Sequence, residues 1–499
     1  MNRTHPNGTA DVLLDETIAR QVDTLMGRMT LAQKIGQMVQ TERMAITPEE
    51  VRTWHIGSVL SGGGSSPGEN RVQDWVTMND AYWMASMAAD ESHLPIPVIY
   101  GVDAIHGNNN VSGATIFPHN IGLGAANDPD LLAEIARITA REILAAGVDW
   151  TFAPTLAVAR NIQWGRTYES YSEDPAIVCA YSDRFVRGLQ GDFGDDSVVG
   201  CAKHWVGDGG TTDGIDQGET TLSEGELEKL HMAPYVPAIE AGVLTIMVSF
   251  NSWNGDKCHG HKYLVSHVLK DKMRFHGFVI SDWDGIDYLS ENYCEAVAMG
   301  VNAGVDMFMV SEHWRPFISH LTHHVVRGTV AMERIDDAVR RILRVKFTHG
   351  LFDKPRPAKR CWSCHPSFGS TEHREVARQA VRKSLVLLKN EDSLLPLSKN
   401  VKILVAGKSA DNIGNQCGGF TVAWQGTSGN DFVAGATSIW EGIRQAAPRA
   451  QLSADGGGEE ADPAQHDVAV VVIGETPYAE GMGDIRTGDE VIVQAGSQI

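Results

Sequence analysis

Eight short apolar runs, separated by stretches long enough for crossover helices, constrain this 499-residue chain more than any other feature. They are IGSVL (56–60), PVIYGVD (97–103), NIGLGA (120–125), DWTFAP (149–154), VVGCAKHW (198–205), TIMVSF (245–250), GFVISD (277–282) and VDMFMV (305–310). Near-continuous β-branched and apolar runs are the pattern of parallel strands buried on both faces. Eight of them predict an α/β chain whose residues 1–350 form a (β/α)8 TIM-type barrel. Several runs end on polar groups: Asp103, Lys203 with His204, and Asp282. In such barrels the chemistry sits at the C-terminal strand ends, so these positions are where functional groups are expected. Ahead of the first run, a helix is predicted over 16–29, and Thr30 with Gln33 suits a capping box that opens a second.

After a helix around 336–348, residues 351–370 are rich in Pro, Lys, Arg and Ser and read as a flexible linker. A second α/β sandwich, of doubly wound type, is predicted over 371–499. It has a helix over 371–390, a strand KILVAG (402–407), a helix near 438–446 and a strand DVAVVVIGE (467–475). A complete doubly wound domain needs further strands, so this one looks truncated at its C-terminus.

Hydrophobic residues make up 42% and charged residues 21%, which excludes a disordered chain and leaves a globular one. The formal net charge of −21 opposes a phosphate backbone, and no dense Lys/Arg stripe reverses it, so nucleic acid is not an expected partner. No 18-residue apolar run occurs, so no membrane partner is expected. The first 21 residues lack the apolar core of a secretory signal. The chain reads as cytoplasmic on its face, with a periplasmic or secreted site open if a signal was removed. Seven cysteines, an odd number spread over the chain, do not suggest a disulfide scaffold.

GFVISDWDG (277–285) is the sharpest motif, because it brings the Asp282 carboxylate out of a buried strand at the barrel mouth. A buried acid is costly unless it is paired or used, and spacing alone leaves both a catalytic carboxylate and a structural salt bridge open. Gly285 directly after Asp284 breaks the spacing of a calcium loop. AKHWVGDGGTTDG (202–214) adds Lys203 and His204, donors suited to sugar hydroxyls, and lacks the Gly-Lys-Ser/Thr of a nucleotide loop. In WGRTYESYSEDP (164–175), Arg166 is a candidate to point into the pocket, while Glu169, Glu173 and Asp174 read mostly as a surface ion-pair network. Cys361-Trp-Ser-Cys364-His365 fits the pattern of c-type haem attachment but lies in the linker with no evident axial partner. HLTHH (320–324) lacks the Glu of a zinc-protease helix. No metal or other cofactor is expected.

VDAIHG (102–107), WGRTYESYSEDP, KHWVGDGGTTDG, MVSFNSWNG (247–255) and GFVISDWDG occur in the order seen in glycoside hydrolase family three. From about Glu16 onward the chain resembles the β-glucosidase and β-D-glucan exohydrolase branch. The resemblance implies Asp282 as nucleophile. It implies that Asp103, Arg166, Lys203, His204 and Asp282 grip the terminal glucose, and that Met247 from MVSFNSWNG is also a substrate-binding residue. Trp283 and, from GGFTVAWQG (418–426), Trp424 are implied to sandwich the next sugar on their indole faces. The acid/base is implied to lie in GETPYAEGMGD (474–484), at Glu480, with Glu475 as fallback. Tyr288 and Gln217 depart from the plant pattern, where an Arg and a Glu stand, and Phe420 replaces a second tryptophan.

The implied activity is that of a retaining, exo-acting β-glucosidase that releases terminal β-D-glucosyl residues through a covalent glycosyl-enzyme. Its two carboxyls are then expected about 5–5.5 Å apart. The implied partner is a β-glucan or β-glucoside substrate, and a monomer or homodimer is expected. Two alternatives remain in view. One is a sugar-binding remnant whose short second domain does not position Glu480. The other is a β-N-acetylglucosaminidase of the same family, against which GGTTDGIDQGET (209–220) lacks the His of that branch.

Overall fold

Capping fixes where the first helices start. The computed structural model describes residues 13–90, 93–459 and 461–485. Asp15 accepts the Thr17 and Ile18 amides and opens α1 (Glu16–Met26), which ends at Gly27, short of the predicted 29. Thr30 and Gln33 form the predicted reciprocal box at the start of α2 (Leu31–Gln37).

Eight parallel strands follow: β1 (Val39–Glu42), β2 (Ser58–Ser61), β3 (Ile99–Val102), β4 (Trp150–Thr151), β5 (Cys201–Trp205), β6 (Thr245–Val248), β7 (Phe278–Ile280) and β8 (Phe308–Met309). One sheet has the order β8-β1-β2-β3-β4 and a second the order β7-β6-β5. Single parallel bridges, Trp150 to Val199 and Ile280 to Met307, join both ends of the two sheets. Strand residues such as Val39, Val59, Ile99, Trp150, Ile246, Val279 and Phe308 are all buried in one continuous core.

Seven of the eight predicted runs contain a strand. NIGLGA does not: residues Asn120–Ala126 are a helix, α3. Its small residues allow a close approach, since a Cβ at Gly124 would collide with the Tyr171 carbonyl. The missing strand is β1, whose polar Gln40, Thr41 and Glu42 do not read as an apolar run. All three are buried, with Gln40 bonded to Ser58 Oγ at 2.8 Å and Thr41 to the Ser311 carbonyl at 2.8 Å.

In the second unit, β9 (Ile403–Ala406) is flanked by parallel β10 (Gln451–Leu452) and β11 (Val468–Val471) over a small core of Ile403, Val405, Ala410 and Ala447. The predicted helix over 371–390 ends at Ser384, and Ser438 caps the helix Ile439–Ala446. A third apolar cluster, Ile105, Phe420 and Ala479 with Tyr168, sits where the two units meet.

The segment read as a flexible linker is instead a docked strap. Buried Asp149, one residue before β4, accepts Arg360 Nη1 at 2.7 Å and Lys354 Nζ at 3.3 Å, and the Cys364 amide bonds the Ala145 carbonyl at 2.9 Å. Burial opposes charge on Asp149, yet Arg360 and Lys354 hold its carboxyl well below the usual range. The strap's positive charge therefore has a fixed partner in the barrel wall. His365 is engaged by Ser367 Oγ at 2.7 Å and packs against Trp362 with the rings tilted by 49°. All seven cysteines are free thiols.

Candidate active site

Asp103 follows β3 and accepts Lys203 Nζ from β5 at 2.7 Å. His204, next along β5, is held by Asp208 Oδ2 at Nδ1 (2.8 Å) and faces Arg166 Nη2 at Nε2 (3.2 Å). Burial, Arg166 and Lys203 keep the imidazole well below its usual pKa, so it is neutral. Since Nε2 meets a guanidinium donor, these partners assign the proton to Nδ1. Asp282 closes the group two residues after β7. Its Oδ1 accepts the Trp283 amide at 2.7 Å, and its amide donates to His259 Nε2 at 2.9 Å. Its Oδ2 lies 3.5 Å from His204 Nε2 and is buried with no hydrogen-bond partner among the described residues. Met247 is buried within β6, in register with Ile280 two residues before Asp282.

The second unit adds two loops. Glu480 opens a short 3-10 turn (Glu480–Gly483), and its Oε1 accepts Trp424 Nε1 at 3.3 Å. Glu475 stands exposed after β11 and accepts the Tyr478 hydroxyl at 3.0 Å, so only Glu480 joins the cluster. Trp283 and Trp424, 38% and 39% exposed, both rest on the turn after β2. A Cβ at Gly62 would lie 2.9 Å from the Trp283 ring, and one at Gly63 would lie 2.7 Å from Trp424 Cβ. Two large aromatic side chains held partly in solvent against one turn suit a flat, partly apolar ligand.

Burial dominates the electrostatics. It raises the Asp282 carboxyl to about 6, against the opposing charges of Arg166 and Lys203. It raises Glu480 to about 7, where Arg166 again opposes and the charge of Asp282 adds. Asp208 is likewise pushed up to about 7. Arg166 is thus the cation that several acids share. Glu169 grips it with two bonds, of 2.8 and 3.1 Å, and is 1% exposed, so it is not part of a surface network. Of the neighbouring acids, Glu173 and Asp174 are exposed as expected, and Asp174 caps the next helix.

Asp103, Arg166, Lys203, His204 and Asp282, five positions singled out in the sequence, therefore meet at one place. Gly62, Gly63, Asp208 and His259 complete it without having been assigned a role, and Glu169 joins it from a stretch read as surface ion pairs. Asp208 carried a readable signal, standing four residues after His204 in a glycine-rich turn. Gln217 and Tyr288 prove to be joined: Lys257 Nζ donates to the Gln217 carbonyl at 3.0 Å and lies 5.9 Å from the Tyr288 ring centre.

Gly165 shows how tightly the units fit. A Cβ there would collide with the Glu480 carbonyl and come within 2.6 Å of Gly483 C. Gly165→Ala is expected to displace the Glu480 loop and lower kcat/KM about 10²-fold on a glucoside with a poor leaving group, read by steady-state kinetics. A loss under about threefold would mean that the loop adapts freely.

A carboxylate with an unpartnered oxygen, a second carboxyl near neutrality and two partly exposed indoles beside one turn are the features of a carbohydrate-processing site. Residues 30–345 match the glycosyl hydrolase family 3 N-terminal domain and residues 385–492 its C-terminal domain, and the chain belongs to that family. A lysosomal beta glucosidase of Dictyostelium discoideum is 34% identical over 93% of this chain and 62% of its own length. A periplasmic beta-glucosidase of Salmonella typhimurium is 30% identical over 81% of this chain and 52% of its own. An exo-1,3/1,4-beta-glucanase from a Pseudoalteromonas species superposes with a TM-score of 0.91 at 45% identity, over 94% of this chain and 60% of that one. A beta-glucosidase of Listeria innocua, solved as a mutant in complex with laminaribiose, gives 0.81 at 27%, over 93% and 66%. The chain thus spans roughly half to two thirds of these relatives' length.

Proposed function

We propose that this chain is a retaining, exo-acting β-glucosidase acting on terminal β-D-glucosyl residues of glucans or glucosides. The single observation that carries it is the buried, unpartnered Oδ2 of Asp282 beside Arg166, Lys203 and His204, facing a unit that supplies a carboxyl with a pKa of about 7. The bridges between the two sheets support a closed (β/α)8 barrel over 1–350, with the strap 351–370 leading to a second domain from 371. Asp103, Lys203, Arg166 and His204 bind hydroxyls of the terminal sugar, and Trp283 and Trp424 hold the next one.

Asp282 Oδ2 forms a bond to the anomeric carbon as the glycosidic C–O bond breaks, and Glu480 gives its proton to the departing oxygen. Glu480 then takes a proton from water, whose oxygen attacks the same carbon and releases Asp282 and β-glucose. Arg166 and Lys203 favour the ionised Asp282 this requires, while burial keeps Glu480 protonated near neutrality.

The test is turnover of nitrophenyl β-D-glucoside and laminari-oligosaccharide, with NMR of the first anomer released. Initial β-glucose supports the reading, and α-glucose or no turnover removes it. Asp282 must be ionised and Glu480 protonated. The kcat/KM profile is therefore expected to fall below about pH 6 and above about pH 7, as apparent values of the coupled pair. An alkaline limb unchanged in Glu480→Gln would exclude Glu480 as the acid.

A further inference from the structure

The Glu480 carboxyl is held only weakly by its own side-chain contacts. Among the described residues its one hydrogen-bond partner is Trp424 Nε1, at 3.3 Å. Its backbone lies in the left-handed region, with φ +56°, a conformation that a non-glycine residue keeps only when its surroundings impose it. What places this loop against the barrel is a different residue, four positions on.

Asp484 reaches from the second unit with both carboxylate oxygens. Oδ1 accepts the Gly165 amide at 2.9 Å and Oδ2 the Asp216 amide at 2.9 Å. Gly165 begins the turn that delivers Arg166, and Asp216 lies in the loop after β5 that follows His204 and Asp208. One side chain thus ties together the two barrel loops that flank Asp282. The fit around it is close. The Ile485 amide donates to the Gln163 carbonyl at 2.8 Å, and Trp164 Nε1 fixes Asp216 Oδ1 at 2.9 Å. A Cβ at Gly481 would sit 3.3 Å from Asp216 Oδ2.

We propose that Asp484 is a positioning residue, a clamp between domains whose two amide contacts set where Glu480 stands relative to Asp282. The proposal rests on Glu480 being the acid/base. A carboxylate suits the task because both its oxygens accept, so two N–H donors on separate loops are satisfied at once. An asparagine offers one carbonyl oxygen and turns an NH2 toward the second donor. Asp484→Asn is therefore expected to behave more like Asp484→Ala than like the wild type.

The test compares kcat/KM, which reports the first bond-breaking step, on two substrates. Dinitrophenyl β-D-glucoside has a leaving group that needs no proton, and laminaribiose has one that does. In Asp484→Ala and Asp484→Asn the laminaribiose value is expected to fall about 10²-fold, while the dinitrophenyl value stays within a few-fold. Glu480→Gln, measured in parallel, should show the same pattern more strongly. Equal losses on both substrates in the Asp484 variants, or no loss on either, would overturn the clamp. Glu480→Gln without leaving-group dependence would overturn the acid/base assignment and the clamp with it. Hydrogen exchange gives a readout free of turnover. Peptides carrying the Gly165 and Asp216 amides should exchange faster in Asp484→Ala while those spanning β1 and β2 do not change, and unchanged exchange at both amides would contradict the clamp.

Discussion

Asp282→Asn is expected to lower kcat/KM on nitrophenyl β-D-glucoside by about 10⁴-fold or more, equivalent to about 5 kcal/mol of transition-state stabilisation. The substitution keeps the shape and the Trp283 amide contact but removes the anionic oxygen that lies buried without a partner. No other carboxylate replaces it, since Asp103 is bonded to Lys203 and Asp208 to His204. Glu480→Gln should cost less, about 10²–10⁴-fold, because a general acid assists a bond that also breaks, slowly, without it. Retention of more than a tenth of the wild-type rate by Asp282→Asn, with circular dichroism unchanged, would sink the nucleophile assignment.

Asp149→Ala is the variant expected to cost the fold most, by about 3–5 kcal/mol in a urea titration. Asp149 is 5% exposed at its side chain and faces Arg360 at 7% and Lys354 at 11%, so its loss leaves two desolvated cations unpaired. The strap over 351–370 should then detach from the wall beside β4. The pH dependence has a definite sign. The Asp149 carboxyl titrates below its unfolded value, so its contribution is present above the unfolded pKa and is lost as pH falls through the folded one. In the wild type this contribution should decline from the usual carboxylate range down towards the lower folded value, and the difference in stability between wild type and Asp149→Ala should shrink over the same interval. A change below about 1 kcal/mol in Asp149→Ala would show that the strap is held by other contacts.

Strands were legible wherever both faces are apolar, as in TIMVSF and GFVISD, because burial leaves a continuous hydrophobic signature. β1 escaped because Gln40 Nε2 and Thr41 Oγ1 find partners inside the core, which only the folded positions of Ser58 and Ser311 reveal. NIGLGA misled because small residues serve a close helix contact as readily as a strand. The cations and acids at strand ends were visible because the barrel geometry says where to look. Glu169 was not, since sequence gives no sign that Arg166 draws it inward. Nor was the strap: Arg360 and Lys354 look like solvated charges until Asp149 is seen beneath them.

Trp283 comes from the first unit and Trp424 from the second, yet both indoles are seated on the consecutive glycines 62 and 63. A Cβ at 62 would press on the Trp283 ring and one at 63 on the Trp424 Cα and Cβ. One dipeptide of the barrel thus limits how closely a tryptophan from each unit can approach it, and a side chain at either position would push its own tryptophan away.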